Sequence, residues 1–241
     1  MEIIFLIVLL VVAYLYSSVG HGGASGYLAM MALFGIEMVY MKPSALILNL
    51  FVSLIAFIAY YRGGHFRFKI LLPFVITSIP MAFLGAKLEI SPELYKKILG
   101  ACLIIATLRI VIQPGSTEGA RKHLPVGIAL VTGAVVGYFS GMIGIGGGII
   151  LSPLLLLTRW TSMKETAAVS AAFIFLNSSA GLAGHISAGM EVPPQIFVWV
   201  LVAVLGGLAG SYSGSFRYSV NVMKYVVTAV LILACIKLYI F

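Results

Sequence analysis

Apolar runs of about 20 residues fill most of this chain, and no other feature restricts its fold as strongly. They lie near residues 3–19, 43–61, 70–88, 96–112, 124–143, 166–184, 195–214 and 221–241. A helix of that length crosses the roughly 30 Å hydrocarbon core of a bilayer. Hydrophobic residues make up 61% of the chain and charged residues 9%, whereas about a quarter of a soluble domain is charged. The sequence therefore predicts an all-α, multi-pass membrane protein of about eight transmembrane helices.

The basic balance of the chain predicts contact with lipid rather than with nucleic acid. The formal net charge is +8, but the Lys and Arg residues are scattered among the connectors, as juxtamembrane cations commonly are. The first apolar run has no basic leader and no Ala-x-Ala site, so we expect a span and not a cleaved signal. With eight plain spans the cations divide eight to seven between the two sides, which leaves the orientation open.

Two glycine clusters, at residues 19–23 and 143–148, interrupt the apolar pattern. Four glycines within five residues of the second cluster leave few side chains to restrain the backbone, so we expect the helix to break there. The apolar pieces that follow, 24–36 and 148–158, are too short to cross a bilayer and predict half-helices or re-entrant segments. Paired breaks in two related halves indicate the substrate site of a transporter, because broken backbone at membrane depth must be satisfied by protein, water or ligand.

The glycine clusters belong to an internal repeat. A Lys-x-Ser-Ala motif at 42–45 matches Lys-x-Thr-Ala at 164–167. Four spans in each half would make the repeats parallel, whereas one more crossing in each half would make them inverted, and the sequence does not decide between these arrangements. We expect an N-terminal transmembrane repeat, a polar connector and a C-terminal transmembrane repeat, over residues 1–112, 113–123 and 124–241.

Residues around the two breaks form the candidate substrate site. The N–H groups that open a helix attract anions together with the helix dipole, and serine hydroxyls donate hydrogen bonds without a fixed charge. Asn177 adjoins two serines and is favoured over Asn49 as a ligand, with a bond between helices as the alternative for both. The predicted substrate-binding residues are Gly20, His21, Gly22, Gly23, Ser25, Ser140, Gly144, Gly146, Gly147, Gly148, Ser152 and Asn177.

Acidic residues are absent from the predicted mid-membrane positions. The chain has no aspartate, and its glutamates fall at span ends or in connectors, so cation coupling through a buried carboxylate is hard to place. Lys42, Lys164 and His185 are candidate charge partners for an anion, and His21 is the titratable group beside the first break. Snorkelling at helix ends is the alternative role for both lysines. We expect no enzymatic site, no metal and no cofactor, because the sequence lacks the corresponding ligand spacings and loops.

Together these features resemble the sulfite exporter TauE/SafE family, also called the toluene sulfonate uptake permeases. The resemblance covers nearly the whole chain and rests on the paired glycine stretches, the Lys-x-Ser/Thr-Ala motif and a small-residue stretch in the third span. It implies a secondary transporter, exporter or uptake permease, that moves sulfite, sulfonates or other sulfur oxyanions across the cytoplasmic membrane. Its implied partners are a small anion and the bilayer, without nucleic acid, and a homo-oligomer is left open. His21 stands where the second cluster has Ile145, which predicts an asymmetric site.

Two other functions stay open from the sequence. Gly23-Ala24-Ser25-Gly26 resembles the Gly-x-Ser-Gly of rhomboid intramembrane proteases, and His185 would supply the base of a Ser25–His185 dyad. The second glycine cluster has no serine equivalent to Ser25, which disfavours a protease. A passive anion channel would differ from a carrier in turnover and gradient dependence, neither of which a sequence reveals.

Overall fold

The computed structural model describes residues 2–88 and 122–219, with the single positions 91, 93, 94, 97, 222, 225, 229 and 232 beyond them. Its helices are α1 (Glu2–Ser17), α2 (Ala24–Leu33), α3 (Met38–Arg62), α4 (Phe68–Ala86), α5 (Val126–Ile143), α6 (Gly148–Leu157), α7 (Met163–Ser187) and α8 (Ile196–Tyr212), which continues into a π-helical turn, Ser213–Arg217. Within this part of the chain the all-α class is confirmed, and α3, α4, α5, α7 and α8 with its π turn are long and apolar enough to span a bilayer. Apart from the single positions 97, 222, 225, 229 and 232, the spans expected near 96–112 and 221–241 lie outside the described residues.

α1 and α2 form a hairpin that begins and ends at the same end of the bundle. The Phe5 ring of α1 packs edge-on against Phe34, just after α2, with ring centroids 5.3 Å apart. At the far end of α1, the Ser18 carbonyl accepts a 2.6 Å hydrogen bond from the Tyr60 hydroxyl near the end of α3. α1 therefore reaches nearly as far across the bundle as α3 does, and α2 returns towards the start of α1.

α5 and α6 form a second hairpin. The Lys122 N–H, before α5, donates a 3.1 Å hydrogen bond to the Arg159 carbonyl, after α6. The beginning of α5 and the end of α6 therefore lie together, as the beginning of α1 and the end of α2 do. The short apolar pieces that follow the glycine clusters thus turn back along α1 and α5, and their re-entrance into the membrane stays a prediction.

Glycines allow two pairs of helices to pack closely and in parallel. Three glycines of α5 lie in turn against the α4 backbone at Phe74, Ser78 and Ala82, namely Gly133, Gly137 and Gly141. Three glycines of α8 and its π turn lie in turn against the carbonyl oxygens of Leu10, Tyr14 and Ser18, namely Gly206, Gly210 and Gly214. Small residues spaced four apart let helix backbones approach in membranes. Because each set of contacts advances along both helices together, α5 runs parallel to α4 and α8 runs parallel to α1.

α3 and α7 pack against each other at the centre of the bundle, with α8 also on α3 and α4 also on α7. α7 begins with a capping box in which the Ser162 hydroxyl and the Glu165 carboxylate accept each other's backbone N–H. The same carboxylate accepts a 2.7 Å charged hydrogen bond from Arg67, just before α4. The start of α7 therefore lies beside the α3–α4 connector, and α7 runs antiparallel to α3.

Positive charge is concentrated at the end of the bundle where α4, α5 and α7 begin. In the ranges 2–88 and 122–219, seven cations lie at this end, which we call the basic end: Arg62, Arg67, Lys69, Lys122, Arg159, Lys164 and Arg217. Lys42 and Lys87 lie at the opposite end of the same ranges. The near-equal division expected from eight plain spans does not hold for these residues, because α2 and α6 return the chain to the end where α1 and α5 begin, whereas eight plain spans count a single crossing at each of these places.

We predict that the basic end faces the cytoplasm, since cations beside membrane spans are retained on that side. With the two native cysteines replaced by serine, Lys122→Cys should react with a membrane-impermeant maleimide only after the cells are opened. Glu37→Cys, at the other end, should react in intact cells. Both positions are exposed in the structure. Labelling of Lys122→Cys but not Glu37→Cys in intact cells would establish the opposite orientation.

Candidate functional site

The two glycine clusters end their helices with the same backbone geometry. α1 is followed by Gly20 with φ of +76°, and the His21 N–H donates a 2.9 Å hydrogen bond to the Tyr16 carbonyl. α5 is followed by Gly144 with φ of +83°, and the next N–H donates a 3.2 Å bond to the Ser140 carbonyl. A left-handed residue with a bond of this span is a Schellman helix end, for which glycine is preferred. The repeated sequence motif is thus a repeated backbone structure.

A short helix begins directly after each break. α2 begins at Ala24 after Gly23, which has φ of +100°, and α6 begins at Gly148 after Gly147, which has φ of +76°. The first N–H groups of a helix have no partner within that helix. Each break therefore presents backbone donors to the protein interior, where a polar acceptor is required.

The side chain of Asn49, on α3, lies between the two breaks. Its Oδ1 accepts a 3.2 Å hydrogen bond from the Ala24 N–H, the first of α2. Its Nδ2 donates a 3.5 Å bond to the Ile145 carbonyl in the second break and a 2.9 Å bond to the Ser178 hydroxyl of α7. Asn49 is 1% exposed, so these contacts are made without competition from bulk solvent. One amide therefore connects both breaks to the central helix pair.

Matching glycines of the two clusters contact opposite ends of this amide. A Cβ added at Gly22 would overlap Asn49 Oδ1, and one added at Gly146 would overlap Nδ2. At Gly146 the added atom would also lie 2.7 Å from the Ser178 hydroxyl. Gly22 and Gly146 are therefore glycine because the backbone must approach Asn49 closely, and Gly146 also because its φ is +70°.

A cavity of about 10 Å³ lies beside Asn49 and is lined by residues of both breaks, including His21, Ser25 and Ile145. A cavity of that size holds about one water molecule. The buried His21 ring donates from Nδ1 to the Val19 carbonyl at 3.2 Å, and the buried Ser25 hydroxyl is 2.9 Å from the Tyr16 hydroxyl. The structure is therefore closed around this cavity, with the His21 and Ser25 side chains already paired.

Ser152 and Asn177, two other predicted ligands, lie away from this cavity. The Ser152 hydroxyl donates a 2.7 Å hydrogen bond to Ser170, which joins α6 to α7. Asn177 Nδ2 donates a 3.0 Å bond to the Ser78 hydroxyl of α4. Both side chains join helices, the alternative role given for Asn177. Asn49, which the sequence favours less than Asn177 as a ligand, is the amide that lies between the breaks.

The remaining residues of the second cluster are packed against α5 and α7. An added Cβ would lie 2.8 Å from the Phe173 ring at Gly147 and would overlap Ile174 at Gly148. Ser140 is buried beside Gly147, and its hydroxyl has no hydrogen-bond partner among the described residues. The glycines here let α6 dock, and Ser140 offers a polar group next to the break.

The three candidate charge partners divide between the two ends of the bundle. Lys42 packs beside Gly144 in the second break. His185, at the same end, is fully buried and donates from Nε2 to an α5 carbonyl at 3.1 Å. Lys164, at the basic end, donates a 3.0 Å hydrogen bond to the Ser215 carbonyl in the π turn. None of the three lines the cavity beside Asn49.

The described geometry gives no support to a Ser25–His185 dyad. The Ser25 hydroxyl pairs with Tyr16, whereas the His185 ring pairs with an α5 carbonyl. A nucleophile and its base must lie within hydrogen-bonding distance of each other. Across the described ranges no such bond joins the two residues.

Comparison with known proteins identifies the chain's relatives. The sulfite exporter TauE/SafE family matches residues 4–238. The probable membrane transporter protein y4hK of Sinorhizobium fredii is 32% identical over 232 residues, which is 95% of this chain and 94% of that protein. The probable membrane transporter proteins MJ0441 of Methanocaldococcus jannaschii and YunE of Bacillus subtilis are 23% and 25% identical, over 70% and 61% of this chain and 65% and 61% of their own lengths. No solved structure shows significant similarity.

Proposed function

Because this chain belongs to the sulfite exporter TauE/SafE family, we propose that it is a secondary transporter of small anions in the cytoplasmic membrane. The proposed substrates are sulfite, sulfonates or another sulfur oxyanion. Its site lies between the two glycine breaks, and access to that site alternates between the two sides of the membrane.

One observation carries this proposal: a single buried cavity is lined by residues from both breaks, by Ala24 and Ser25 at the start of α2, and by Ile149 at the start of α6. The N-terminal N–H groups of helices bind anions, and the helix dipole favours negative charge there. A cavity of about 10 Å³ is too small for an anion with three oxygen atoms, since it holds about one water molecule. The structure thus corresponds to a closed state of the proposed carrier, and substrate entry requires the breaks to separate.

The cavity lining favours an oxyanion over a cation. Its polar side chains in the described part of the chain are Tyr16, His21, Ser25 and Asn49, and no described carboxylate lines it. Hydroxyl and backbone N–H groups donate hydrogen bonds to oxyanions. The described glutamates of the helical bundle lie at helix ends or in connectors, such as Glu37 and Glu165. A cation would therefore have little to neutralise its charge in this cavity.

We also propose that the halves 1–112 and 124–241 are inverted repeats that move against each other. In the proposed repeat, α1, α3 and α4 of the first half correspond to α5, α7 and α8 of the second. α4 contacts α5, and its counterpart α8 contacts α1. α4 also contacts α7, and α8 likewise contacts α3. The α1–α2 and α5–α6 hairpins enter from opposite ends of the bundle. In the proposed arrangement the spans predicted from the sequence near 96–112 and 221–241 follow the hairpin and two helices of each half as a third crossing, and this odd number of crossings produces the inversion.

A counterflow assay tests the proposed function. Purified protein in liposomes preloaded with sulfite should accumulate labelled sulfite, and external sulfate, thiosulfate, sulfoacetate or taurine should inhibit in proportion to its own affinity. A carrier exchanges label against the preloaded anion, whereas a channel only dissipates the gradient. Failure of every anion to exchange, in liposomes where the protein is folded, would exclude this substrate class.

A further inference from the structure

We propose that the Asn49 side chain stands in for the substrate in the empty carrier, and that it thereby lets the empty site close and change its access. The proposal rests on the proposed function. Its basis is the position of one buried amide between both breaks, with hydrogen bonds to α2, to the second break and to α7.

The partners of Asn49 fix how its amide is oriented. The Ala24 N–H only donates, so it must face Oδ1, and the Ile145 carbonyl only accepts, so it must face Nδ2. Oδ1 therefore occupies the place at the start of α2 where an oxygen of a bound anion would accept the same hydrogen bond. The amide is neutral, so it satisfies this donor without introducing a charge into the closed site.

An empty anion site has an energetic difficulty that Asn49 removes. If the breaks close without substrate, the first N–H of α2 is buried, and a buried donor without a partner is costly. With substrate bound, an anion oxygen satisfies that donor and Asn49 is not needed for it. Asn49 should therefore matter most for reorientation of the empty carrier, which net transport requires and exchange does not.

Net transport and exchange can be measured on the same liposomes. For Asn49→Ala, net efflux of sulfite into anion-free buffer should fall about tenfold, the effect of one uncompensated buried hydrogen bond. Sulfite–sulfite exchange should stay within about twofold, because the substrate replaces the missing acceptor. The diagnostic result is thus a changed ratio of net transport to exchange, which a general loss of folded protein would not produce.

Asn177→Ala is the matched control. Asn177 is also a buried amide on a central helix, 1% exposed, but it bonds to Ser78 of α4 and does not line the cavity. Removing it should change net efflux and exchange by the same factor. If Asn49→Ala also lowers both rates equally, Asn49 is a structural residue and the proposal is overturned.

A second variant keeps the test decisive should Asn49→Ala not fold. Asn49→Asp has nearly the same shape: one oxygen keeps the acceptor for the Ala24 N–H, and the other, when protonated, donates to the Ile145 carbonyl in place of Nδ2, so the protonated form should insert and fold. When ionised at higher pH, the carboxylate would compete with the anion, and the KM for exchange should rise about tenfold or more with pH because like charges repel in a buried site. An unchanged KM for Asn49→Asp would contradict the proposal. Absence of exchange in the wild-type protein would instead refute the proposed function itself.

Discussion

Replacing Gly146 with alanine should lower anion exchange by more than tenfold, while the protein still inserts and folds. The added methyl group would overlap Asn49 Nδ2 and approach the Ser178 hydroxyl, and overpacking of this kind costs about 1–3 kcal/mol. The second break would have to shift away from α3 and α7, which moves its backbone out of the proposed substrate site. Leucine at this position should abolish exchange, because its side chain would need the space that the side chains of Asn49, Ser178 and Ile174 fill together.

Gly64→Ala separates this steric effect from backbone strain. Gly64 has φ of +73°, close to the +70° of Gly146, but a Cβ at Gly64 meets nothing within 4 Å. Both alanine variants therefore carry the same left-handed strain, about 1–2 kcal/mol. Counterflow with labelled sulfite should show near-normal exchange for Gly64→Ala. Equal losses in the two variants would mean that the close approach of the second break to α3 and α7 has no part in transport.

Replacing Gly137 with valine should destabilise the helical bundle more than any change at the surface of α5. An added Cβ at Gly137 would overlap the Ser78 carbonyl of α4, and a backbone atom cannot move aside as a side chain can. We expect a loss of about 1–3 kcal/mol or more, since overpacking forces helices apart. The melting temperature in detergent should fall accordingly, and the fraction of monodisperse protein with it.

Gly127→Ala provides the control within the same helix. Gly127 lies near the start of α5, and a Cβ there meets nothing within 4 Å. Alanine in place of glycine in an open helical position stabilises by about 0.5–1 kcal/mol. The melting temperature of Gly127→Ala should therefore be unchanged or slightly higher. A Gly137→Val protein that melts with the wild type would show that α4 and α5 do not depend on this close approach.

The glycine breaks illustrate how much of the site the sequence could predict. Left-handed glycines and a helix end at Gly20 and Gly144 follow from local preferences, which act within a few residues and are visible in a motif. The closeness of the two breaks to each other follows from long-range packing and is not local. Residues 20 and 144 are far apart in the chain, and only the repeat suggested that their clusters share a site.

The two asparagines illustrate what sequence could not predict. Asn49 and Asn177 both lie inside long apolar helices, and neighbouring serines favoured Asn177. The structure turns Asn177 towards Ser78 of α4 and Asn49 towards the breaks. A helix rotation of about 100° separates consecutive residues, so the face that a residue presents depends on how its helix is packed. The sequence signal for a functional amide was an asparagine in the middle of an apolar span, and this signal is the same for Asn49 and Asn177.

By itself the sequence determined the membrane class, the helical content and the positions of the two breaks, because hydropathy, run length and glycine content act locally. Tertiary structure alone decided that α2 and α6 turn back, that α5 is parallel to α4, and that seven cations of the described ranges 2–88 and 122–219 share one end. The physical reason is that a glycine break permits many chain directions equally. Packing of the small faces on α4, α5, α1 and α8 selects one of them, and that selection places Asn49 between the breaks.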